Sequence, residues 1–339
     1  MQSGASSADE KITPAEGVIV LAGATGYLGR HVAQTLSRRG FRVLAPVRAG
    51  SADRPALAGV EYREARFNDA EALLEDISAG GDADRVDAVI SCLASRSGSP
   101  RDAWRVDHRM NRNLLSAAKS LRARRFVLLS AICVQKPRLA FQQAKLAFEG
   151  ELAESGLSFV IVRPTAFFKS LSGQLDRLRR GKPFLLFGDG ELTRCKPISE
   201  ADLSRFIVDC LNRPDCRNRV VPVGGPGPAV SPREQGEWLF EALGKAPHFR
   251  SISPGWFLRG ARFLDGLGRV VPRLKDTAEF ARIAHYYATE SMLLWNPETG
   301  RYEADATPEF GTETLRDHYH RLVEGEGGDQ ALGEHRMFR

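Results

Sequence analysis

Short apolar runs alternate with amphipathic stretches throughout the first half of the chain. One run, Val86–Leu93, is largely apolar, which is typical of a strand that is covered on both faces of a sheet. The predicted strands are Val18–Ala22, Phe41–Val47, Val60–Ala65, Val86–Leu93, Arg125–Ser130 and Phe159–Val162. The predicted helices are Tyr27–Arg39, Asp102–Leu121 and a stretch from about Leu139 to Ser155. Strands that alternate with helices in this way predict the α/β class, with a doubly wound parallel sheet of the Rossmann type.

The second half is less regular. A short strand between two turns is predicted within Gly181–Gly190, a helix over Ala201–Leu211 and a strand over Val220–Val223. Amphipathic helices are predicted at Pro232–Leu243, Trp256–Leu267 and Thr277–Ala288. We expect these helices to form a smaller C-terminal substrate lobe over the carboxyl edge of the sheet, where open α/β sheets bind their ligands.

These patterns predict three parts. Residues 1–16 are small and polar, and we expect them to be a disordered lead-in. Residues 17–168 are predicted to be the nucleotide-binding core, and residues 169–339 the substrate lobe. One strand near 219–224 is expected to return from the lobe to the sheet.

Composition narrows the function classes. The chain has 339 residues, of which 42% are hydrophobic and 27% charged, so it can bury a sizeable core. The net charge of +6 is modest, and the basic residues are dispersed and not interleaved with aromatic residues. We therefore expect no nucleic-acid partner, while a positive chain suits an anionic cofactor or substrate.

The cysteines and histidines show no ligand pattern. There are five cysteines, an odd number, with no CxxC pair, and the histidines form no H-E-x-x-H pattern. We therefore predict neither a disulfide framework nor a metal site. The lead-in has no apolar stretch typical of a signal peptide, and no run of 18 apolar residues exists. These features predict a cytoplasmic protein.

A glycine-rich turn follows the first predicted strand and opens a helix, which is the context that a dinucleotide-binding motif requires. We expect Gly23 to permit the tight turn, Gly26 to let the backbone approach a pyrophosphate, and Gly29 to pack helix against strand. The helix N-terminus offers free N–H groups to the phosphates. The predicted cofactor-binding turn consists of Gly23, Ala24, Thr25, Gly26, Tyr27, Leu28 and Gly29.

The end of the second strand distinguishes the two nicotinamide cofactors. Enzymes that use NAD place Asp or Glu there, and this chain has Arg48. A guanidinium pairs with a 2′-phosphate that a carboxylate would repel, so we predict NADPH as the cofactor. Asn68, Asp69 and Pro164 are further candidates for contacts with the cofactor.

The candidate catalytic residues are Ser130 and Lys145. In short-chain dehydrogenases a Ser works with Tyr-x-x-x-Lys, where the Lys holds ribose hydroxyls and lowers the pKa of the Tyr. Here the Tyr position is Phe141, and Phe cannot donate a proton. Two interpretations follow: the protein binds NADPH without catalysis, or it reduces a conjugated C=C bond, because that reaction forms no alkoxide.

Longer stretches point to a family. The turn, Arg48 and Lys145 are similar to those of the atypical short-chain dehydrogenases, and five stretches narrow the resemblance. They are Ser130–Pro137, Val162–Leu171, Phe187–Gly190 with Cys195–Leu203, Gly224–Pro228 and Tyr286–Met292. Together they resemble the NADPH-dependent divinyl chlorophyllide 8-vinyl reductases of (bacterio)chlorophyll synthesis, over roughly residues 17–335. That family also carries Phe at the position of Phe141.

The resemblance implies an NADPH-dependent oxidoreductase that reduces the 8-vinyl group of a divinyl (proto)chlorophyllide to ethyl. Such a tetrapyrrole is large, flat and apolar, with an anionic propionate. We expect aromatic residues to form an apolar wall and Lys169 to pair with the carboxylate. The substrate-binding candidates are Phe141, Phe167, Phe168, Lys169, Tyr286 and Tyr287. The amphipathic stretch Trp256–Leu274 is expected to allow peripheral contact with a membrane.

Two alternatives remain at this point. One is a non-catalytic NADPH-binding regulator or photosystem assembly factor of the same fold, against which Lys145 argues. The other is an oxidoreductase that acts on a different conjugated alkene, such as a phenolic compound. The sequence leaves open the proton donor, the preferred pigment, the oligomeric state and any role of the first 16 residues.

Overall fold

A computed structural model describes residues 11–14, 17–51, 54–81, 86–256 and 273–325. Its largest sheet has seven strands in the order β3-β2-β1-β4-β5-β6-β8. The strands of this sheet are β1 (Val18–Ala22), β2 (Arg42–Val47), β3 (Val60–Glu64), β4 (Val86–Ser91), β5 (Arg125–Leu129), β6 (Ser158–Pro164) and β8 (Arg219–Val223). The predicted strands are all present, and the doubly wound fold is confirmed.

The order of the strands reverses between β1 and β4, which lie side by side although two strands separate them in the chain. The pairs among β1 to β6 that have a described register are parallel, and Ala22 at the end of β1 is opposite Ser91 at the end of β4. Strands β1 and β5 are buried at every position, since helices cover both faces of such a sheet. Ligands bind at this reversal point in open α/β folds.

Helices connect the strands and cover the sheet. The helices in chain order are α1 (Tyr27–Arg38), α2 (Ala70–Ser78), α3 (Pro100–Ala103), α4 (Asn111–Ser120), α5 (Ala140–Ala153), α6 (Phe168–Leu171), α7 (Leu175–Arg179), α8 (Glu200–Asp209), α9 (Pro232–Ala242), α10 (Arg273–Thr289) and α11 (Leu315–Glu324). The sequence patterns did not predict α2, the short α6 and α7, or α11. Helix α2 begins at a clear signal, because the Asp69 side chain accepts hydrogen bonds from the backbone N–H groups of Glu71 and Ala72.

The predicted helix Asp102–Leu121 is not one regular helix. Helix α3 is followed by a π-helix over Trp104–Met110, and α4 then begins at Asn111. A π-turn adds one residue to a helical turn and is rare, and it often lies at a functional site. Amphipathic spacing predicts the helix but does not reveal the inserted residue, because the buried face continues across it.

The described contacts divide the chain into two compact units. The first comprises the chain up to residue 163 together with 204–221, and the second comprises 164–203 and the chain from 222 onward. The sequence patterns placed the boundary after residue 168, with a strand near 219–224 that returns to the sheet. Residues 204–221, which include most of β8, belong to the first unit. The predicted lead-in 1–16, apart from 11–14, and the predicted helix Trp256–Leu267, apart from Trp256, lie outside the described residues.

The second unit contains two small sheets. Strand β7 (Phe184–Phe187) pairs in parallel with β9 (Phe249–Ile252), and β10 (Leu294–Asn296) pairs antiparallel with β11 (Arg301–Glu303). Its core includes the side chains of Phe168, Leu175, Leu178, Phe184, Leu186, Leu239, Phe240, Leu315 and Tyr319. Among the helices of the described ranges, none combines the length and the hydropathy needed to cross a bilayer.

Aromatic packing joins α5 to the sheet in the first unit. Phe148 and Phe126 are fully buried, with their ring centroids 6.0 Å apart. We predict that Phe148→Ala lowers the free energy of unfolding by about 3–5 kcal/mol, because it leaves a cavity in a closely packed core. Chemical denaturation measures this loss. The control Leu192→Ala, at a side chain that is 53% exposed, should change stability by less than about 0.5 kcal/mol.

Candidate cofactor site and active site

The glycine-rich turn lies at the reversal point of the sheet. Gly23 has a φ of +84°, and a Cβ there would lie 2.8 Å from the backbone carbon and oxygen of Cys92, which follows β4. A Cβ on Gly29 would lie 2.0 Å from the Gly23 oxygen. Both positions therefore require glycine. At Gly23 the φ is positive and a side chain would clash with the backbone that follows β4, and at Gly29 a side chain would clash with the turn against which α1 packs.

The N-terminus of α1 offers backbone donors without side-chain competition. Gly26 is the N-cap, it is exposed, and no side chain caps the helix. The turn is closed by a hydrogen bond of 2.9 Å from the Gly26 N–H to the Gly23 oxygen. Uncapped N–H groups together with the positive end of the helix dipole form an anion site. The arrangement fits a pyrophosphate, for which a cradle free of Cβ atoms is needed.

The remaining residues of the turn differ in exposure. Ala24 and Leu28 are buried, while Thr25 and Tyr27 are half-buried. The Tyr27 ring packs edge-on against His31 at 5.8 Å between centroids. The side chains of Ala24 and Leu28 thus pack in the protein interior beneath the turn, and their predicted cofactor contacts can involve only their backbone.

Arg48 follows β2 directly and is exposed. Within the described residues its guanidinium makes no hydrogen bond or ion pair. Asn68 is also exposed, but the Asp69 carboxylate is occupied as the N-cap of α2 at 3.0 and 3.1 Å. The role of Asp69 as the N-cap of α2 accounts for a carboxylate at this position without any contact with the cofactor. Pro164 ends β6 and is buried.

Lys145 is held by a buried carboxylate. Its Nζ lies 3.0 Å from Oδ1 of Asp107, whose side chain is completely buried, while that of Lys145 is 12% exposed. The backbone N–H of Ser95 also approaches Asp107, at 3.3 Å from Oδ1. Burial raises the pKa of the Cys92 thiol to about 12, and the charge of Lys145 partly opposes this shift. Asp107 therefore fixes the ammonium group next to the end of β4.

The π-helix places Asp107, and a side-chain hydrogen-bond network holds the π-helix. Asn111 donates from Nδ2 to the carbonyl oxygens of Val106 at 3.2 Å and Asp107 at 3.1 Å. Its Oδ1 accepts from the Ser91 hydroxyl at 2.5 Å. The Asn111 side chain thus links two carbonyl groups of the π-helix to Ser91, and so ties this segment to β4.

Ser130 follows β5 and is buried beside a second carboxylate. Its hydroxyl donates to Oε1 of Glu149, and its backbone N–H donates to the Val162 oxygen at 2.8 Å. Arg163 donates to both carboxylate oxygens of Glu149, at 3.3 Å from Nε to Oε1. Glu149 is therefore not part of the solvated face of α5, since the residue is only 4% exposed.

Phe141 is half-buried, one helical turn before Lys145 in α5. The neighbouring Gln142 is fully buried and orients the start of this helix. Its Oε1 accepts from the backbone N–H groups of Arg138 and Leu139, and its Nε2 donates to the Cys133 oxygen at 3.0 Å. These hydrogen bonds fix the start of helix α5 relative to the residues that follow β5.

The predicted substrate contacts other than Phe141 lie in the second unit. Phe167 and Lys169 are half-buried, and the Lys169 backbone N–H donates to Glu200 at 3.2 Å. Phe168 is fully buried, with its ring 5.0 Å from that of His318, whose pKa is lowered by burial. Core packing therefore accounts for Phe168, and its contact with a substrate stays a prediction.

The two adjacent tyrosines near the end of α10 have different environments. Tyr286 is 3% exposed and Tyr287 is 37% exposed, and their rings meet edge-on at 5.8 Å. Of the two, Tyr287 offers a surface to a ligand. The membrane-contacting stretch predicted over Trp256–Leu274 falls almost entirely outside the described residues.

The sequence patterns predict roles for Ser130 and Lys145 but do not identify their partners in the structure, Glu149 and Asp107. A signal for Asp107 was available. It lies on the same helical face as Met110, Asn111 and Leu114, which are buried, so an acidic residue there needed a partner. No group of three metal-ligating side chains suited to a metal ion occurs within the described ranges.

Comparison with known proteins agrees with this geometry. The family described as NAD(P)H-binding matches residues 23–214. The divinyl chlorophyllide a 8-vinyl-reductase of Zea mays is 47% identical over 95% of this chain and 83% of its own length. The corresponding protein of Arabidopsis thaliana is 43% identical over 93% of this chain and 79% of its own length.

The chain belongs to the divinyl chlorophyllide a 8-vinyl-reductase family. A solved structure supports the fold of this reductase: an NADPH-dependent quinone oxidoreductase of Escherichia coli, complexed with NADPH, has a TM-score of 0.64. It covers 90% of this chain and 99% of its own chain at 18% identity. At this identity the likeness concerns the fold alone.

The predicted cytoplasmic location of the reductase is wrong. Both plant relatives are described as chloroplastic. The prediction rested on unpaired cysteines and on a polar stretch at residues 1–16. Unpaired cysteines indicate reducing conditions but do not distinguish one reducing compartment from another.

Arg48 is exposed at the end of β2, so its charge is available to a 2′-phosphate. We predict that Arg48→Glu weakens NADPH binding by this reductase about tenfold to a hundredfold, the equivalent of about 1.5–3 kcal/mol, and weakens NADH binding far less. Fluorescence titration with each nucleotide measures the two affinities. Arg42→Glu, at the opposite end of the same strand, is the control and should change neither. Equal losses for NADPH and NADH would exclude contact between Arg48 and the 2′-phosphate.

Proposed function

We propose that this protein uses NADPH to reduce the 8-vinyl group of a divinyl chlorophyllide to an ethyl group. The reaction adds a hydride to one vinyl carbon and a proton to the other, while NADPH becomes NADP⁺. Membership of the reductase family supports the substrate, and the turn from Gly23 to Gly29 supports the cofactor. The product serves chlorophyll synthesis, and a role in bacteriochlorophyll synthesis is part of the proposal.

The observation that carries the reaction type is the position of Phe141 one helical turn from Lys145. A carbonyl reductase needs an acid at that position to protonate an alkoxide, and Phe has no acidic proton. A vinyl group conjugated with a macrocycle needs no such acid, since the negative charge that follows hydride addition is delocalised. The half-buried ring of Phe141 instead offers an apolar surface to the pigment.

NADPH supplies the hydride when it is bound, and the protein binds and orients it. We propose that the N–H groups at the start of α1 bind the pyrophosphate and that Arg48 binds the 2′-phosphate. Lys145 is proposed to hold ribose hydroxyls. Its Nζ lies 3.0 Å from Oδ1 of Asp107, and an ammonium has three donors, so at least two remain for hydroxyl oxygens.

We propose the substrate contacts from the chemical type and the solvent exposure of the candidate side chains. Phe167 and Tyr287 have exposed or half-buried rings suited to a flat macrocycle, and Lys169 provides a cation for the propionate. Phe168 and Tyr286 are buried, and we propose that they do not contact the pigment but fix the positions of the adjacent residues Phe167 and Tyr287. Peripheral contact with a membrane stays a prediction.

A non-catalytic regulator or assembly factor is not favoured. The matched reductases are 43–47% identical over nearly the whole chain. A buried ion pair that holds Lys145 near a nucleotide turn is also costly to maintain in a protein that does not need a fixed ammonium group.

The direct test is turnover. Purified protein with NADPH and divinyl chlorophyllide should yield the monovinyl product, measured by chromatography, with one NADPH oxidised for each vinyl group reduced. A parallel reaction with divinyl protochlorophyllide determines the preferred pigment. A conjugated phenolic alkene serves as the competing substrate class. Folded protein that binds NADPH but forms no monovinyl product would contradict the proposed function.

We predict that Lys145→Ala lowers turnover by about tenfold to a hundredfold, because ribose orientation is lost. Alanine also leaves the Asp107 carboxylate buried without its cation, so Lys145→Arg is the second variant. Arginine keeps the charge pair but not the compact ammonium, and it should fold normally and still lose turnover. The control is Lys119→Ala, an exposed position in α4, and circular dichroism checks the fold. Unchanged turnover in both Lys145 variants would remove Lys145 from the site.

A further inference from the structure

Glu149 is a buried carboxylate that the proposed reaction does not yet use. It lies in α5, one turn after Lys145, and its side chain is 5% exposed. Three donors surround it: the Ser130 hydroxyl on Oε1, and Nε and a terminal nitrogen of Arg163 on the two oxygens. Arg163 belongs to β6 and Ser130 follows β5, so the group joins two strands and a helix of the first unit.

The direction of the Ser130 hydrogen bond follows from the chemistry of the three groups. A guanidinium has donors only, and Arg163 donates to both oxygens of Glu149, so the carboxylate acts as an acceptor on both oxygens. An ionised carboxylate has acceptors only. The proton between Ser130 and Glu149 therefore belongs to the serine hydroxyl, which has only one. What Ser130 retains for the cofactor site is its oxygen lone pairs.

We infer that Glu149 is a positioning residue that makes Ser130 a hydrogen-bond acceptor in the reaction. Ser130 then accepts an N–H or O–H group of the cofactor or substrate, and it is not the acid that protonates the reduced vinyl carbon. The proton for that carbon comes from another donor, and the hydride comes from NADPH. This inference rests on the proposed function, because the role it assigns to Ser130 is a role in vinyl reduction.

A purely structural role for Glu149 has different consequences. The pair with Arg163 alone would tie α5 to β6, and its loss would lower stability whether or not Ser130 has its hydroxyl. A role through Ser130 disappears once that hydroxyl is removed. Double-mutant cycles separate the two roles, because residues that act through one another give non-additive losses.

The test is Glu149→Gln, alone and combined with Ser130→Ala. Arg163 donates to both carboxylate oxygens, and its closer contact runs from a terminal nitrogen to Oε2. We therefore expect the amide oxygen of the glutamine at the Oε2 position, so that the amide N–H₂ group faces Ser130. The hydrogen bond reverses and frees the hydroxyl proton toward the site. We expect kcat to fall about tenfold to a hundredfold in Glu149→Gln and in Ser130→Ala. The double variant should be no slower than Ser130→Ala alone.

The controls separate polarity from folding. Glu151→Gln changes a glutamate two positions along the same helix, where the side chain is 39% exposed and pairs with His108, and kcat should not change. Glu149→Asp keeps an acceptor-only group and should retain more activity than Glu149→Gln. If Glu149→Gln fails to fold, the cycle is run with Glu149→Asp and Ser130→Ala, where additive losses overturn the inference.

The outcomes are distinct. The inference is overturned if kcat is unchanged in Glu149→Gln. It is also overturned if Glu149→Gln causes its full loss of kcat in a protein that already carries Ser130→Ala. Both outcomes leave the proposed function intact. Inactive wild-type protein that binds NADPH contradicts the proposed function, and this inference with it. Non-additive losses with active wild-type protein and an unaffected Glu151→Gln support the inference.

Discussion

The ion pair between Lys145 and Asp107 is the interaction on which the arrangement of the site depends. An ammonium with little access to water needs an opposite charge at close range, and breaking such a pair from one side typically costs about 3–5 kcal/mol. Here the nitrogen and oxygen are 3.0 Å apart, and the carboxylate is fully buried. Whatever holds Asp107 therefore also holds Lys145. The π-turn, the Asn111 amide and the Ser91 hydroxyl do this from the end of β4.

Two buried carboxylates thus each hold one of the residues expected to act in the reaction. Asp107 binds a cation and fixes its position, whereas Glu149 binds a hydroxyl and fixes the direction of its hydrogen bond. Neither group is placed by its own helix alone, because each needs a partner from a different element. With Phe141 in place of a phenol, the position one helical turn before Lys145 carries an apolar ring and no acid. Such a site suits reduction of a conjugated C=C bond.

The first half of the fold was predictable because its signals are local. The strand boundaries of Val18–Ala22 and the helix start at Tyr27 match the structure, since an apolar run followed by Gly-x-x-Gly leaves few alternatives. The π-turn within Trp104–Met110 and the helix Ala70–Ser78 were missed. The first does not interrupt the buried face, and the second is only nine residues long. The location was predicted wrongly because residue chemistry does not identify a compartment.

By itself the sequence determined the α/β order, the nucleotide turn, the arginine at the end of β2 from which we predict NADPH, and the family whose stretches it carries. These features depend on neighbouring residues, or on residue types at a single position. Only the tertiary structure decided that Asp107 and Glu149 are buried partners of Lys145 and Ser130, and that Phe168 is a core residue. Each of these depends on atoms from elements that are distant in sequence, and no local pattern records which of them meet.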